Sequence, residues 1–230
     1  IVHELFHGGL MLLHAGDATY TGTVQEIIRF NAHLMRHRDR FQRVIFTPGN
    51  HDRLFEHVFN HARSLIDSSI DVLHDAMTEV GNIKIWGSGW TPAFGVGWAF
   101  NARRGKQLEE IWSRMPDDVD VLVTHGPPLG FGDIVRQALP SPREWIDRGY
   151  DNFNDDQLKS AMIEHVGCAE LLHRIQKVKP RFVVCGHIHP AYGVYEDPDK
   201  NFTVINASSC NSHYDAVNAP VIFELERHDA

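Results

Sequence analysis

Residues 46–52 read FTPGNHD. An apolar stretch runs into Pro48 and Gly49, and the next three positions present an amide, an imidazole and a carboxylate: Asn50, His51 and Asp52. A surface turn needs one short polar side chain to bond its own backbone. It does not need all three kinds in succession at the end of a strand. Amide oxygen, neutral imidazole and carboxylate together are what a divalent metal of the first transition row takes as ligands.

The same junction recurs along the chain. LLHAGD (12–17) ends on Asp17, VLVTHG (121–126) carries His125, and VVCGHIH (183–189) carries His187 and His189. Taken singly, each motif has an ordinary reading as a turn residue, a helix cap or a packed histidine. Their recurrence in order, each after an apolar run, is what argues for one site. In an open α/β sheet, ligands bind outside the carboxyl ends of the strands, so residues distant in sequence would meet there.

Further runs of strand length are 83–87, 202–208 and 220–226. All are continuously apolar, as in strands covered on both faces. Between the first two strands lies TVQEIIRFNAHLMRHR (23–38), with Val24, Ile27, Ile28, Leu34 and Met35 at helical spacing behind an N-cap at Thr23. Segments 106–115 and 168–178 repeat the helical pattern. The alternation predicts an α/β fold, with an antiparallel addition where the closing strands lack intervening helices. The Pro-, Asp- and Gly-rich stretch 126–167 reads as a lid-like insertion in a single domain spanning 1–230.

The net charge of −8, with no long Lys/Arg run, argues against binding to long nucleic acid. Cys168, Cys185 and Cys210 are an odd number without paired close spacing, which speaks against a disulfide framework or thiolate zinc site and for a reducing, cytoplasmic setting. No membrane association is expected, because no apolar run reaches the length of a span.

At these residues the sequence resembles the calcineurin-like metallophosphoesterase superfamily, whose pattern is Asp-x-His, Gly-Asp, Gly-Asn-His-(Asp/Glu), a His after a strand, and Gly-His-x-His. GD (16–17), GNHD (49–52), THGPP (124–128) and GHIH (186–189) match in order. More narrowly, 87–105, 120–133, 185–193 and 206–225 resemble the metallophosphoesterase-domain-containing branch, related to class III cyclic-nucleotide phosphodiesterases. The resemblance runs from residue 3 onward. It implies a four-layer α/β/β/α sandwich with a dinuclear metal site at the strand ends, holding two divalent ions drawn from Mn, Fe, Zn, Ni or Mg, with manganese foremost in vitro.

Carried over residue by residue, it makes Asp17 the carboxylate shared by both ions. Asn50, His125 and His187 would complete one ion's shell, and His189 and His3 would belong to the other. His51 would stand beside the scissile phosphate with Asp52 as its orienting neighbour. The implied reaction is hydrolysis of a small phosphodiester, such as a cyclic nucleotide, by metal-activated water; a phosphomonoesterase is the alternative. Ile1 falls where the first motif has its metal-binding Asp, so His3 is a conditional ligand, and a binding protein with an impaired first site is a further reading. Arg103 and Arg104 are candidate phosphate contacts. Trp90, Phe94, Trp98 and Phe100 could stack a base or simply pack the core.

Overall fold

The computed structural model describes residues 9–136 and 163–225. Two sheets organise them. The first holds β1 (Met11–His14), β2 (Arg43–Phe46) and β3 (Ile70–Val72), all parallel in the order β1-β2-β3. The second is built from β4 (Ala76–Val80), β5 (Ile83–Ser88), β8 (Val121–Thr124), β11 (Phe182–Cys185), β12 (Gly193–Glu196) and β13 (Thr203–Asn206). Its order is β12-β13-β11-β8-β5-β4, with β13, β11, β8 and β5 parallel and both edge strands antiparallel. Two short pairs lie outside the sheets: β6 (Thr91–Pro92) with β7 (Asn101–Ala102), and β9 (Ile134–Arg136) with β10 (Ile163–His165).

The apolar runs are continuous because each central strand is covered on both sides. In β2, Val44 and Phe46 point to one core while Ile45 points to another. In β8, Leu122 faces outward and Val121 and Val123 face inward; β11 divides Val183 and Cys185 from Val184 in the same way. The period-two alternation of a strand therefore feeds three cores. One lies between the sheets. One joins the first sheet to α1 (Val24–Met35), α2 (Arg53–His57) and α3 (Phe59–Ser64) through Ile27, Leu34, Phe55 and Ala62. The third joins the second sheet to α4 (Lys106–Trp112) and α5 (Ala169–Val178) through Leu108, Ile111, Trp112, Leu171 and Ile175. The layers are α/β/β/α, as expected from the sequence.

Helix α1 begins where its sequence says it should. Thr23 Oγ1 accepts from Glu26 N (3.3 Å) and the Glu26 carboxylate accepts from Thr23 N (2.9 Å), a reciprocal capping box. Residues 220–225 do not form the expected strand among the described residues; Leu225 is instead buried between the sheets with Phe223 against it. For the expected insertion, 137–162 lie outside the described residues. Its two ends are joined by the β9–β10 pairing and by the buried Asp133, whose carboxylate accepts from Gly130 N (2.9 Å), Gly167 N (3.0 Å) and the His165 ring (2.7 Å). No helix among the described residues is long and apolar enough to cross a membrane.

Leu122 is fully buried at the centre of the second sheet, whereas Thr23 is an exposed cap. Urea unfolding is expected to show Leu122→Ala costing about 3 kcal/mol and Thr23→Ala only about 1 kcal/mol. Equal costs would contradict a core centred on β8.

Candidate metal centre

The parallel strands of both sheets deliver their carboxyl ends to one place. Asp17 follows β1, Asn50 and His51 follow β2, His125 follows β8 and His187 follows β11. Asp17 (φ 54°) and His187 (φ 66°) both stand in the left-handed region, which non-glycine residues seldom adopt and which recurs at functional sites. The loops approach closely because Gly49 has no side chain: a Cβ there would fall 2.5 Å from both Asp17 N and Asp17 Oδ1 and 2.6 Å from His125 Cε1.

His125 is buried at the junction of the two sheets. Its Nδ1 lies 2.8 Å from the Ala15 carbonyl, so Nδ1 carries the proton and donates. That leaves Nε2 of the neutral ring as an acceptor, and it faces two others: Asn50 Oδ1 at 2.7 Å and Asp17 Oδ2 at 3.3 Å. Three lone pairs aimed into one small volume repel one another unless a cation lies among them or the ring takes up a proton. Ligand atoms of Asp17, His125 and His187 all lie within 4.8 Å of one another, a group that could hold a metal ion. Carboxylate, amide oxygen and imidazole suit a divalent ion of the first transition row. The donor set fits.

The electrostatics run the same way. Burial works against a charged His125 ring, but the Asp17 carboxylate outweighs it and raises the ring's pKa. Burial would also raise Asp17, yet His125 and the hydrogen bond from His51 N (2.9 Å) hold its carboxyl well below the usual range. Burial, reinforced by His125, drives His187 down to about 3, so its ring is neutral and its lone pair available.

Asp17, Asn50, His51, His187 and His189 all line one cleft of about 250 Å³, together with Phe94, Trp98, Val135, Ser212 and Tyr214. His189 stands apart from the tight cluster, its Nδ1 3.0 Å from the Asn211 carbonyl and its ring 5.2 Å from Tyr214. His3 lies outside the described residues. Asp52 requires a correction. It does not orient the His51 ring, whose Nδ1 bonds the Tyr20 carbonyl at 2.7 Å. Its fully buried carboxylate accepts instead from Gly49 N (2.8 Å), Ala18 N (3.3 Å), Thr19 N (3.0 Å) and Thr19 Oγ1 (2.8 Å), tying the β1 and β2 loops together. Burial, with Asp17 nearby, raises its pKa to about 6.

Neither Arg103 nor Arg104 lines the cleft. Arg104 donates to the carbonyls of Gly167 and Val166, both at 2.7 Å, and so braces the second sheet's helices. The aromatic segment divides, with Trp90 and Phe100 packed in the core and Phe94 and Trp98 on the cleft wall. Val135 and Tyr214 carried no distinguishing pattern in the sequence. Asp133 did repeat the Gly-Asp ending of 16–17, but without an apolar strand before it.

Comparison with known proteins bears on this geometry. Residues 3–191 match the family described as calcineurin-like phosphoesterase. The chain belongs to this family, whose members use divalent metal ions. It is 34% identical over 94% of its length to metallophosphoesterase domain-containing protein 1 of Homo sapiens, and equally to that of Mus musculus. It spans 65% of the length of those two relatives. A UPF0046 protein of Caenorhabditis elegans is 31% identical over 97% of this chain and 78% of its own.

Two outcomes test the geometry. Gly49→Ala forces a methyl against Asp17 and His125, and chemical denaturation should show a loss of about 1–3 kcal/mol. The second concerns His14, which lies between Phe30 and Phe46 at 5.1 and 5.5 Å and is lowered by burial to about 4. A folded-state pKa below the ordinary value of 6.5 means stability is intact above pH 6.5 and is lost as pH falls toward 4. In chelator, His14→Gln should show a smaller loss between pH 7 and pH 4 than the parent. An equal loss would place the acid sensitivity elsewhere.

Proposed function

We propose that this chain, folded as one domain, hydrolyses small phosphodiesters, cyclic nucleotides among them, with two divalent ions. The observation that carries the reading is the convergence of Asp17, Asn50, His125 and His187 from four strands of two sheets, with His51 on the same cleft wall. Asp17 would be the shared carboxylate. Asn50, His125 and His187 would hold one ion and His189 would serve the other, with His3, which lies outside the described residues, as its conditional partner.

Bound divalent ions supply a water whose pKa falls toward roughly 7 and positive charge opposite the phosphate oxygens. The chain's own residues do the rest. The Ala15 carbonyl fixes the His125 tautomer so that Nε2 is the ligand atom. The His51 backbone N–H holds Asp17 Oδ1 in place, while the Tyr20 carbonyl holds the His51 ring by Nδ1. With Nδ1–H given to Tyr20, Nε2 of the neutral ring is an acceptor, so the proton delivered to the departing oxygen is the Nε2–H of the doubly protonated ring, a general-acid role open to imidazole. Asp52 acts one step removed, by fixing the two loops that carry Asp17 and His51. Small substrates fit the cleft volume and the acidic balance of the chain, which disfavours long nucleic acid.

Metal-stripped protein titrated with Mn²⁺ should gain activity on bis-p-nitrophenyl phosphate, and Asn50→Ala should lose it. His51→Ala should lower turnover by about 10²–10⁴-fold while Mn²⁺ binding, followed by calorimetry, persists; Asp17→Ala should lose both. The reverse ranking would sink the assignment, and faster turnover of p-nitrophenyl phosphate would make the enzyme a monoesterase.

A further inference from the structure

The cleft beside the donor cluster has an aromatic wall that the hydrolytic residues do not require. Phe94 is 36% exposed, and both it and Trp98 line the cleft, whereas Trp90 and Phe100 of the same segment are absorbed into the core. The Trp98 ring lies 4.6 Å from the His51 ring, and Phe94 lies 4.8 Å from His187. A phosphoester placed at the donors therefore has these rings within reach of its organic group. Resting on the phosphoesterase reading, we infer that Phe94 and Trp98 form a stacking subsite for a flat aromatic ring carried by the substrate's organic group.

The wall is built in place before a ligand arrives. Ala99 N donates to the Asn50 carbonyl (3.1 Å) and Phe100 N to Glu56 Oε1 (3.0 Å), so the segment hangs from the turn that also carries Asn50 and His51. Phe94 N donates to Asn101 Oδ1 (2.9 Å), and the β6–β7 pairing closes the loop at its base. Arg53 lies over the Trp98 ring, its guanidinium carbon 5.3 Å from the centroid and its buried Nε without a hydrogen-bond partner. The arginine is engaged with the indole face, a contact that fixes the ring. A preordered aromatic surface loses little conformational freedom on binding, which is where stacking platforms gain affinity.

The ring planes of Phe94 and Trp98 lie within 23° of parallel with centroids 6.0 Å apart. A third ring inserted between them would need roughly 7 Å, twice the van der Waals spacing of carbon atoms. The pair is thus a shelf on which a ring lies, and a group without a flat face gains little from it.

Calorimetric titration of Mn²⁺-loaded protein with phenylphosphonate and methylphosphonate tests this, because the two share an anionic head and neither is an ester. The parent should bind the phenyl probe roughly tenfold or more tightly, and Trp98→Ala should remove most of that preference while methylphosphonate changes by less than about twofold. Trp98→Phe should restore the preference. Should Trp98→Ala fail to fold, Phe94→Leu carries the same comparison with nearly conserved volume. Equal weakening of both probes, or an undiminished phenyl preference, overturns the subsite. Because the probes report binding alone, an intact and Trp98-dependent preference in a protein that hydrolyses no phosphoester would uphold the subsite and refute the hydrolase.

Discussion

The hydrogen bond from His125 Nδ1 to the Ala15 carbonyl is the constraint on which the site depends. His125 belongs to the second sheet and Ala15 to the first, so one ring spans the two layers at their carboxyl ends. By fixing where the proton sits, this bond turns Nε2 into a lone pair aimed at Asn50 and Asp17. Burying polar groups of one sign in contact is costly unless something of the opposite sign joins them. The fold accepts that cost because the inter-sheet core, centred on Ile45, Val121, Val123 and Val184, holds both sheets in register whatever the loops contain.

Around that ring, most of what surrounds the donors is backbone geometry. Gly49 lets the β2 loop come within contact of Asp17, and Asp52 gathers four donors from the β1 and β2 loops onto one buried carboxylate. A carboxylate next to a proposed metal site looks like a ligand or a proton carrier. Here its environment makes it a structural clamp, since every bond it forms is to a loop that bears a functional side chain. The same logic separates Arg104, which looks available for phosphate but is engaged with the carbonyls of Val166 and Gly167. Charge alone does not mark a binding group when backbone acceptors are within reach.

Much of this was legible in the chain. Continuous apolar runs required strands covered on both faces, and Thr23 with Glu26 marked the start of α1. Four strand-end motifs in order pointed to Asp17, Asn50, His125 and His187, which the fold brings together. The failures have physical reasons. PVIFELE has the composition of a strand, but Leu225 is buried between the sheets and no ladder forms along it among the described residues. Aromatic side chains at 90–100 share one composition, yet Trp90 and Phe100 pack inward while Phe94 and Trp98 face the cleft, because the β6–β7 pairing turns the loop between them.

The sequence by itself determined the α/β class and the chemical identity of the strand-end side chains, because both rest on local pattern: apolar periodicity along a strand, and side-chain type at its end. The four-layer order followed from the family resemblance. Only the tertiary structure decided which polar residues face the cleft and which bond the protein itself. Besides the nearby amides of Gly49 and Gly130, Asp52, Arg104 and Asp133 find partners 32 to 63 residues away. Hydrogen-bond partners at that separation are set by how loops from two sheets approach each other, which no local window of sequence encodes.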